Sequence, residues 1–589
     1  SIKQAVFYAR SAAASLAEKA ARPSEASGLA ALGEQLATLP ARLGELAAQP
    51  MELAAMVTKW VTPKRTRNRA TMDLQPNARV PTSSEELRSF GADKLIIVVT
   101  KSSKLFALEA TTSEIVWQRY LGADMACFGG KPDQACKPWL RLLPSTSAVN
   151  VELLVVAPPL QGKGQRLMWL EPLSGKVITE ESLALGASVS SVLPLPRKEV
   201  SHTTAYPFLL IDSAHHVHAL PSTSPEAAKI IEEHADHFFH YEVDKVVHAV
   251  QGFAVKGSGP GSKQELLSLW NLELGSVGER ITAVTSPKHR EWDHVPVHIK
   301  ADASILYKYI NRNMLVVVSE EGKGNLTSLN LYALDAVTGH VLHQSHIPRG
   351  AAPVNLVSCD NWVIMHYHNP KKTRFEVTVV EFFQAKADDG PWDIIFGGQK
   401  AHNQTKSAHH LELPVPLQQT YIFPAGVTSM GVTATLKGIT PRSIIMALTT
   451  EHIFRVSKDM LNPRRPYPGT GEKDKLGGLP GQFAPTKEEA LPPYHPVLPL
   501  RPTDVLTHDN PMGQVNGIIS SPSALESTSL VFCYGLDLFF MPVQTAKAYD
   551  VLSPGFNYLL LYVSVGSVVT LFFVTSFIAS HKALQDRWK

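Results

Sequence analysis

Residues 314–342 read MLVVVSEEGKGNLTSLNLYALDAVTGHVL. Two apolar runs, Met314–Ser319 and Leu329–Leu334, flank a Gly-rich polar turn, and a second turn, Asp335-Ala-Val-Thr-Gly339, leads into His340–Leu342. Apolar runs this short, rich in β-branched residues and bounded by turn signals, predict strands joined by tight connections. The glycine closing the second turn supplies the positive φ that such a turn demands. The unit recurs upstream. Leu153–Val156, Leu167–Leu170 and Lys176–Ile178 surround Pro172-Leu-Ser-Gly175, and Leu95–Thr100, Lys104–Leu108 and Ile115–Trp117 form another copy. Shorter versions lie at Phe208–Leu220, Trp362–Phe383, Ile444–Val456 and Leu530–Val543. Repetition at roughly 45 to 60 residues is the spacing of β-propeller blades. A closed ring also removes the exposed strand edges that an open set of β-sandwiches would present.

The predicted fold class is therefore mainly β: a propeller over residues 83–545, with blades of the quinoprotein type, a helical N-terminal segment and one C-terminal helix. The Pro- and Gly-rich stretch 462–504 reads as a long surface insertion, too polar to hold a strand. Residues 1–70 are rich in Ala, Leu and Glu, and 1–40 read as a helical segment. Within 41–70, Leu43, Leu46, Leu53, Val57 and Trp60 continue one apolar stripe that ends in Lys59, Lys64, Arg65, Arg67 and Arg69. That combination describes an amphipathic helix lying at a membrane interface, with its cations facing headgroups. Pro40 and Pro50 each remove an amide donor, so kinks or restarts are expected there.

Tyr558–Ala579, YLLLYVSVGSVVTLFFVTSFIA, carries no charge and is long enough for a helix to cross a hydrocarbon core of about 30 Å. The expected membrane helix is 557–579. Lys582, Arg587 and Lys589 follow it, so the positive-inside rule places the 580–589 tail in the cytosol and the propeller on the far side. Asn325-Leu-Thr327 and Asn403-Gln-Thr405 are glycosylation acceptors consistent with that side. Cys127 and Cys136 could close a small disulfide there or stay as two thiols, whereas Cys359 and Cys533 sit in apolar runs and read as buried. Ser1 opens no charged region followed by an apolar one, so an upstream leader is expected to precede this sequence.

The 589 residues carry 56 Lys+Arg against 53 Asp+Glu, a net charge of +3, and four Cys. Near-neutrality argues against nucleic acid as a partner, and four cysteines are too few for a disulfide-dense scaffold or an iron–sulfur protein. His234, His237 and His240 recur at the spacing of one helical face, but Phe238, Phe239 and Tyr241 interleave with them. Of His215, His216 and His218, strand alternation leaves only the last two on one face. Neither group is assigned a metal. No phosphate-cradling Gly loop and no Gly-x-Ser-x-Gly elbow occurs, so no cofactor and no catalytic residue is assigned. The turn Pro463-Arg464-Arg465-Pro466 presents two guanidiniums suited to bidentate contact with carboxylates, either the chain's own or a partner's.

Gln419-Thr-Tyr-Ile-Phe-Pro424, Gly438-Ile-Thr440, Leu461-Asn-Pro-Arg-Arg-Pro466, Ser523-Ala-Leu-Glu-Ser-Thr528 and Tyr534-Gly-Leu-Asp537 occur in this order ahead of the terminal helix. Together they resemble the C-terminal region of subunit 1 of the ER membrane protein complex. Lys104–Glu109, Ile115–Trp117 and Asp335–Gly339 resemble that family's propeller strands. The resemblance implies a non-enzymatic lumenal scaffold in the endoplasmic reticulum membrane, with a brace helix at the membrane surface. The partners it implies are the other subunits of the complex, membrane lipids and the transmembrane helices of tail-anchored and multi-pass clients. A membrane-anchored quinoprotein-type enzyme and a propeller receptor for secreted partners are the alternatives. The first needs a cofactor held on the propeller axis, and no acidic cluster suggests one.

Overall fold

The computed structural model describes residues 2–9, 90–100, 104–121, 139–143, 151–157, 165–183, 189–195, 205–222, 225–255, 264–286, 297–300, 305–322, 324–384, 413–466, 485, 489, 491–546 and 558–588. Among them the strands form successive antiparallel meanders. The first blade is Ile2–Ala9, Lys94–Thr100, Lys104–Glu109 and Ile115–Tyr120; the second is Trp139–Leu143, Glu152–Ala157, Gln165–Leu170 and Val177–Leu183. Val189–Pro194, Phe208–Asp212 and His216–Leu220 make the third, and Phe239–Asp244, Ala249–Val255 and Gln264–Glu273 the fourth. These two fuse into one six-stranded sheet because Gln264 and Glu265 also pair with Val217 and His216. The fifth blade is Arg280–Thr285, Met314–Glu321, Ser328–Asp335 and Val341–Pro348, and the sixth is Ala351–Cys359, Trp362–Asn369, Arg374–Phe383 and Val415–Phe423. Val427–Val432, Ser443–Leu448 and Ile453–Ser457 form the seventh; Val515–Pro522, Thr528–Gly535 and Leu538–Gln544 form the eighth.

The first strands of the first, second, fifth, sixth, seventh and eighth blades each touch the first strand of a neighbouring blade, and Ser190 of the third blade donates to Glu242 of the fourth (3.1 Å), so these strands line the inside of the ring. Closure is made where Ile2–Ala9 meets both the second blade and the eighth. Phe7 lies edge-on to Phe532 there, with ring centroids 6.1 Å apart. The ring is thus a propeller, as the repeats predict. One expectation fails: residues 2–9, read as part of a helical segment, form the innermost strand of the first blade. Ala5 and Phe7 pack toward the eighth blade while Val6 packs toward the second, so both faces of this strand are used. The Ala-rich composition that follows concealed an eight-residue run able to pair as a strand. The rest of the 1–40 segment and the 41–70 helix lie outside the described residues.

The repeated turns do the work that their residues suggest. In Asp335–Gly339 the Asp335 carboxylate accepts amide hydrogens from Val337 (2.9 Å) and Thr338 (3.2 Å), and Gly339 adopts φ +72°. A tryptophan of the preceding blade rests on each such turn. Trp270 donates its indole hydrogen to the Val337 carbonyl (3.1 Å), and Trp117 does the same to Pro172 (2.9 Å). A Cβ on Gly339 would stand 2.5 Å from Trp270, and one on Gly175 2.6 Å from Trp117, so glycine is required for the contact as well as for φ. Blade-to-blade stacking is thereby written into the turn.

The insertion is less detached than its composition suggests. Ile422 donates to the Pro496 carbonyl (2.7 Å) and Leu498 donates to the Ile422 carbonyl (3.0 Å), so a short parallel bridge covers part of the outer edge of the sixth blade. The terminal helix runs Tyr558–Arg587. Its segment Leu560–Lys582 is apolar with no residue buried.

Candidate functional site

Arg464 and Arg465 leave the seventh blade beside Leu461 and turn inward, with relative exposures of 1% and 4%. The Arg464 guanidinium grips Glu489 of the insertion, with Nη2 2.8 Å from Oε2 and 3.1 Å from Oε1. His298 Nε2 lies 3.0 Å from the same carboxylate. Burial pushes the His298 imidazole down from its ordinary value even though Glu489 pulls the other way. Arg465 donates to the carbonyls of Pro492 (3.1 Å), Met460 (2.8 Å) and Pro493 (2.5 Å), and its guanidinium lies 5.4 Å from the Tyr421 ring centre. Of the two acceptors the sequence leaves open, the structure supplies the chain's own. Neither arginine is presented to a partner, and together they clamp the insertion to the ring.

Beside the clamp lies a cavity of about 320 Å³ at the end of the sixth and seventh blades. Two ion pairs line it, Lys458 with Glu381 (2.9 Å) and Arg442 with Asp360 (3.4 Å). Burial opposes the Glu381 charge, but the Lys458 ammonium prevails and holds the carboxyl below its usual range. Burial, reinforced by Lys458, depresses the Lys308 ammonium in the same cavity. Sequence reasoning missed Glu381, Lys458 and Glu489, because charges 25 and 77 residues from their partners on a propeller give no local pattern.

The motifs quoted for the resemblance interlock. Glu526 accepts backbone hydrogens from Lys437 (2.8 Å) and Ile439 (2.7 Å), while Thr440 donates to the Glu526 carbonyl (2.8 Å). Tyr421 donates to the Asn462 carbonyl at 3.1 Å. The residue runs therefore meet in space as paired locks between segments.

Lys94 is the buried cation at ring closure. It is 5% exposed, donates to Ser521 Oγ (2.6 Å) and to the Pro522 carbonyl of the eighth blade, and burial pushes it down to about 8. Between pH 8 and 10.5 the unfolded chain holds a proton at this lysine that the folded chain has released. Stability accordingly rises with pH across that window, by up to about 3 kcal/mol from this group, and is flat below it. Lys94→Met should remove the rise, as urea titrations at pH 8 and 10 would detect.

The remaining candidate residues distribute as follows. Asn325 lies in the short 3-10 turn Gly324–Leu326, and Thr327 of the same acceptor triplet is buried and donates to the Gly324 carbonyl (3.1 Å). Asn403, Cys127, Cys136 and the stripe Leu43, Leu46, Leu53, Val57 and Trp60 lie outside the described residues. Cys359 and Cys533 are buried thiols outside any disulfide. The helix Pro225–His234 ends before His237, and His240 belongs to a strand, so the three do not share a helical face. His216 and His218 both face Asp212, at 3.2 and 3.5 Å.

Comparison with known proteins adds an independent line. The chain is 29% identical over 504 residues to ER membrane protein complex subunit 1 of Gallus gallus, and equally to that of Xenopus laevis; each match covers 85% of this chain and 47% of the relative. The chain thus spans about half the length of the curated relatives it matches. Among solved structures, the Cps50 (Swd1) β-propeller domain of Myceliophteria thermophila covers 77% of this chain and 93% of its own, at 8% identity and a TM-score of 0.29. The family model described as ER membrane protein complex subunit 1, second beta-propeller, matches residues 91–545, the stretch that holds all but the first strand of the ring, and the chain belongs to that family.

Proposed function

We propose that this chain is a non-enzymatic scaffold of the ER membrane protein complex, whose propeller holds partner subunits while its helices set the complex in register with the bilayer for insertion of tail-anchored and multi-pass clients. The observation that carries the reading is the pairing of a closed ring with a terminal helix whose apolar span Leu560–Lys582 has no residue buried against protein. In this reading the propeller is lumenal and the tail cytosolic. Asn325 and Asn403 are then open to glycan transfer, and Cys127 and Cys136 face an oxidising compartment. The stripe Leu43, Leu46, Leu53, Val57 and Trp60 is the brace, meeting lipid or apolar partner side chains.

Purification of the native membrane chain, with Leu53→Glu in parallel, tests this. The wild type should co-purify with several subunits, and its ring should resist protease in sealed microsomes. A carboxylate against acyl chains opposes burial directly, so Leu53→Glu should stay membrane-integral yet lose co-purifying subunits or insertion of a tail-anchored reporter. A wild-type chain isolated alone favours a receptor, and one carrying a quinone favours an enzyme. Digestion of the ring in sealed vesicles would overturn the topology.

A further inference from the structure

The cavity beside the clamp is lined by Asp360, in the turn that joins the first and second strands of the sixth blade; a cluster of cations lies at the other end of the same strands. There a groove of about 410 Å³ runs between the fifth and sixth blades, lined by Arg349, Lys372, Arg374, Tyr367, Tyr421 and Tyr494 among others. Its one lining carboxylate, Glu376, is already committed. It accepts from Arg374 (2.7 Å), Asn369 (3.2 Å) and the Tyr367 hydroxyl (3.1 Å). Arg349, Lys371 and Lys372 are exposed on the rim, and none has a carboxylate partner among the described residues. The nearby acids of the fifth blade are engaged as well: Glu320 holds Arg280 and the Ala352 amide, and Glu321 accepts from Asn330.

The cations are presented by fixed backbone. Arg349 lies between Pro348 and Gly350 at φ +66°, and Thr373, next to Lys372, is at φ +48°. The neighbouring strand edge is unavailable for β-addition at Ile422, because Pro496 and Leu498 already pair with it. What the groove offers an incoming chain is therefore chiefly charge, Tyr367 and Tyr421 being fully buried and Tyr494 half-buried. Among the described residues no row of exposed apolar side chains accompanies these cations, as insertion into acyl chains would require.

We propose that this groove receives an acidic segment of another protein subunit, with Arg349 and Lys372 as its electrostatic contacts. The proposal deepens the scaffold reading and rests on it. Exposed charges of this kind chiefly set specificity and association rate, so binding should weaken steeply with salt.

The test uses the full chain in detergent and a fluorescein-labelled decapeptide of alternating Asp and Glu, with a Gly/Ser decapeptide as control. Anisotropy should report binding of the acidic peptide alone. Arg349→Glu with Lys372→Glu should weaken it about tenfold, through two lost attractions and two new repulsions. Lys229→Glu with Lys245→Glu makes the same change of charge at distant exposed sites and should leave binding unchanged. Absence of binding, or equal loss in both pairs, overturns the proposal. So does binding of vesicles containing anionic phospholipid that the first pair abolishes while peptide binding survives. If the wild-type chain co-purifies with other subunits yet fails to bind the peptide, the groove assignment falls and the scaffold reading stands. If it co-purifies with none, the scaffold reading falls whatever the peptide does.

Discussion

Arg464→Ala should destabilise the propeller by about 3–5 kcal/mol, the range for removing one member of a buried ion pair. Arg464 is 1% exposed and is bound at both oxygens of Glu489, whose side chain is 8% exposed. The alanine variant takes the guanidinium from that carboxylate, and the neighbouring His298 does not replace its charge, because burial holds the imidazole toward its neutral form. Two comparisons separate charge from volume. Arg464→Lys keeps the charge but loses the forked geometry, so it should recover part of the loss. Adding Glu489→Ala to Arg464→Ala should cost less than the sum of the two single changes, because the stranded charge is removed. Urea midpoints of the purified chain measure both. A loss below 1 kcal/mol for Arg464→Ala would mean that Arg465 with its three carbonyls and the bridge at Ile422 suffice to hold the insertion.

Trp169→Ala should cost a similar amount, about 3–5 kcal/mol, for a different reason. Trp169 is fully buried between the second and third blades, its ring centroid 5.4 Å from that of Phe208 and its indole hydrogen donated to the Tyr206 carbonyl (3.2 Å). Truncation leaves a cavity that the rigid sheets on either side cannot close, and it removes the indole hydrogen bond to the Tyr206 carbonyl. Trp169→Phe keeps much of the packing and should cost less than half as much. Amide exchange should localise the loss to Gln165–Leu170 and Phe208–Asp212. Uniform exchange around the ring would instead show that blades do not open separately.

Legibility in the sequence followed the range of the interactions. The first two strands around Asp335–Gly339 and Pro172–Gly175 were readable because turn chemistry and alternation are local, and fell within two residues of their observed bounds, whereas the third strands, read as His340–Leu342 and Lys176–Ile178, run on to Pro348 and Leu183. Buried thiols and the terminal helix were readable for the same reason. Strand Ile2–Ala9 was not: its pairing partner, Lys94–Thr100, is remote in sequence, and the Ala-rich neighbourhood gave a helical bias that tertiary pairing overrode. The arginine pair was found as a chemical type, but its acceptor was not, since Glu489 carries no sign of its distance from His298 or Arg464 in space. Glu526 was visible only as part of a quoted run; its capture of the amides of Lys437 and Ile439 needed the fold.

The closing strand has a kinetic meaning. Ile2–Ala9 precedes every other strand of the ring in sequence, yet one of its neighbours in the finished ring, Val515–Pro522, comes last among the blades' innermost strands. The ring therefore cannot be sealed by growth from one end, and its final joint is a contact of very high sequence separation, the kind that slows folding most. Only residues 545–557 separate the last blade strand, Leu538–Gln544, from the helix Tyr558–Arg587. When the eighth blade becomes available to the waiting first strand, the apolar helix is still leaving the ribosome. Sealing of the ring and emergence of the apolar helix thus fall close together in the chain's synthesis. A defect at Phe7 or Phe532 should accordingly surface as delayed maturation of newly made chains before it surfaces as instability of finished ones.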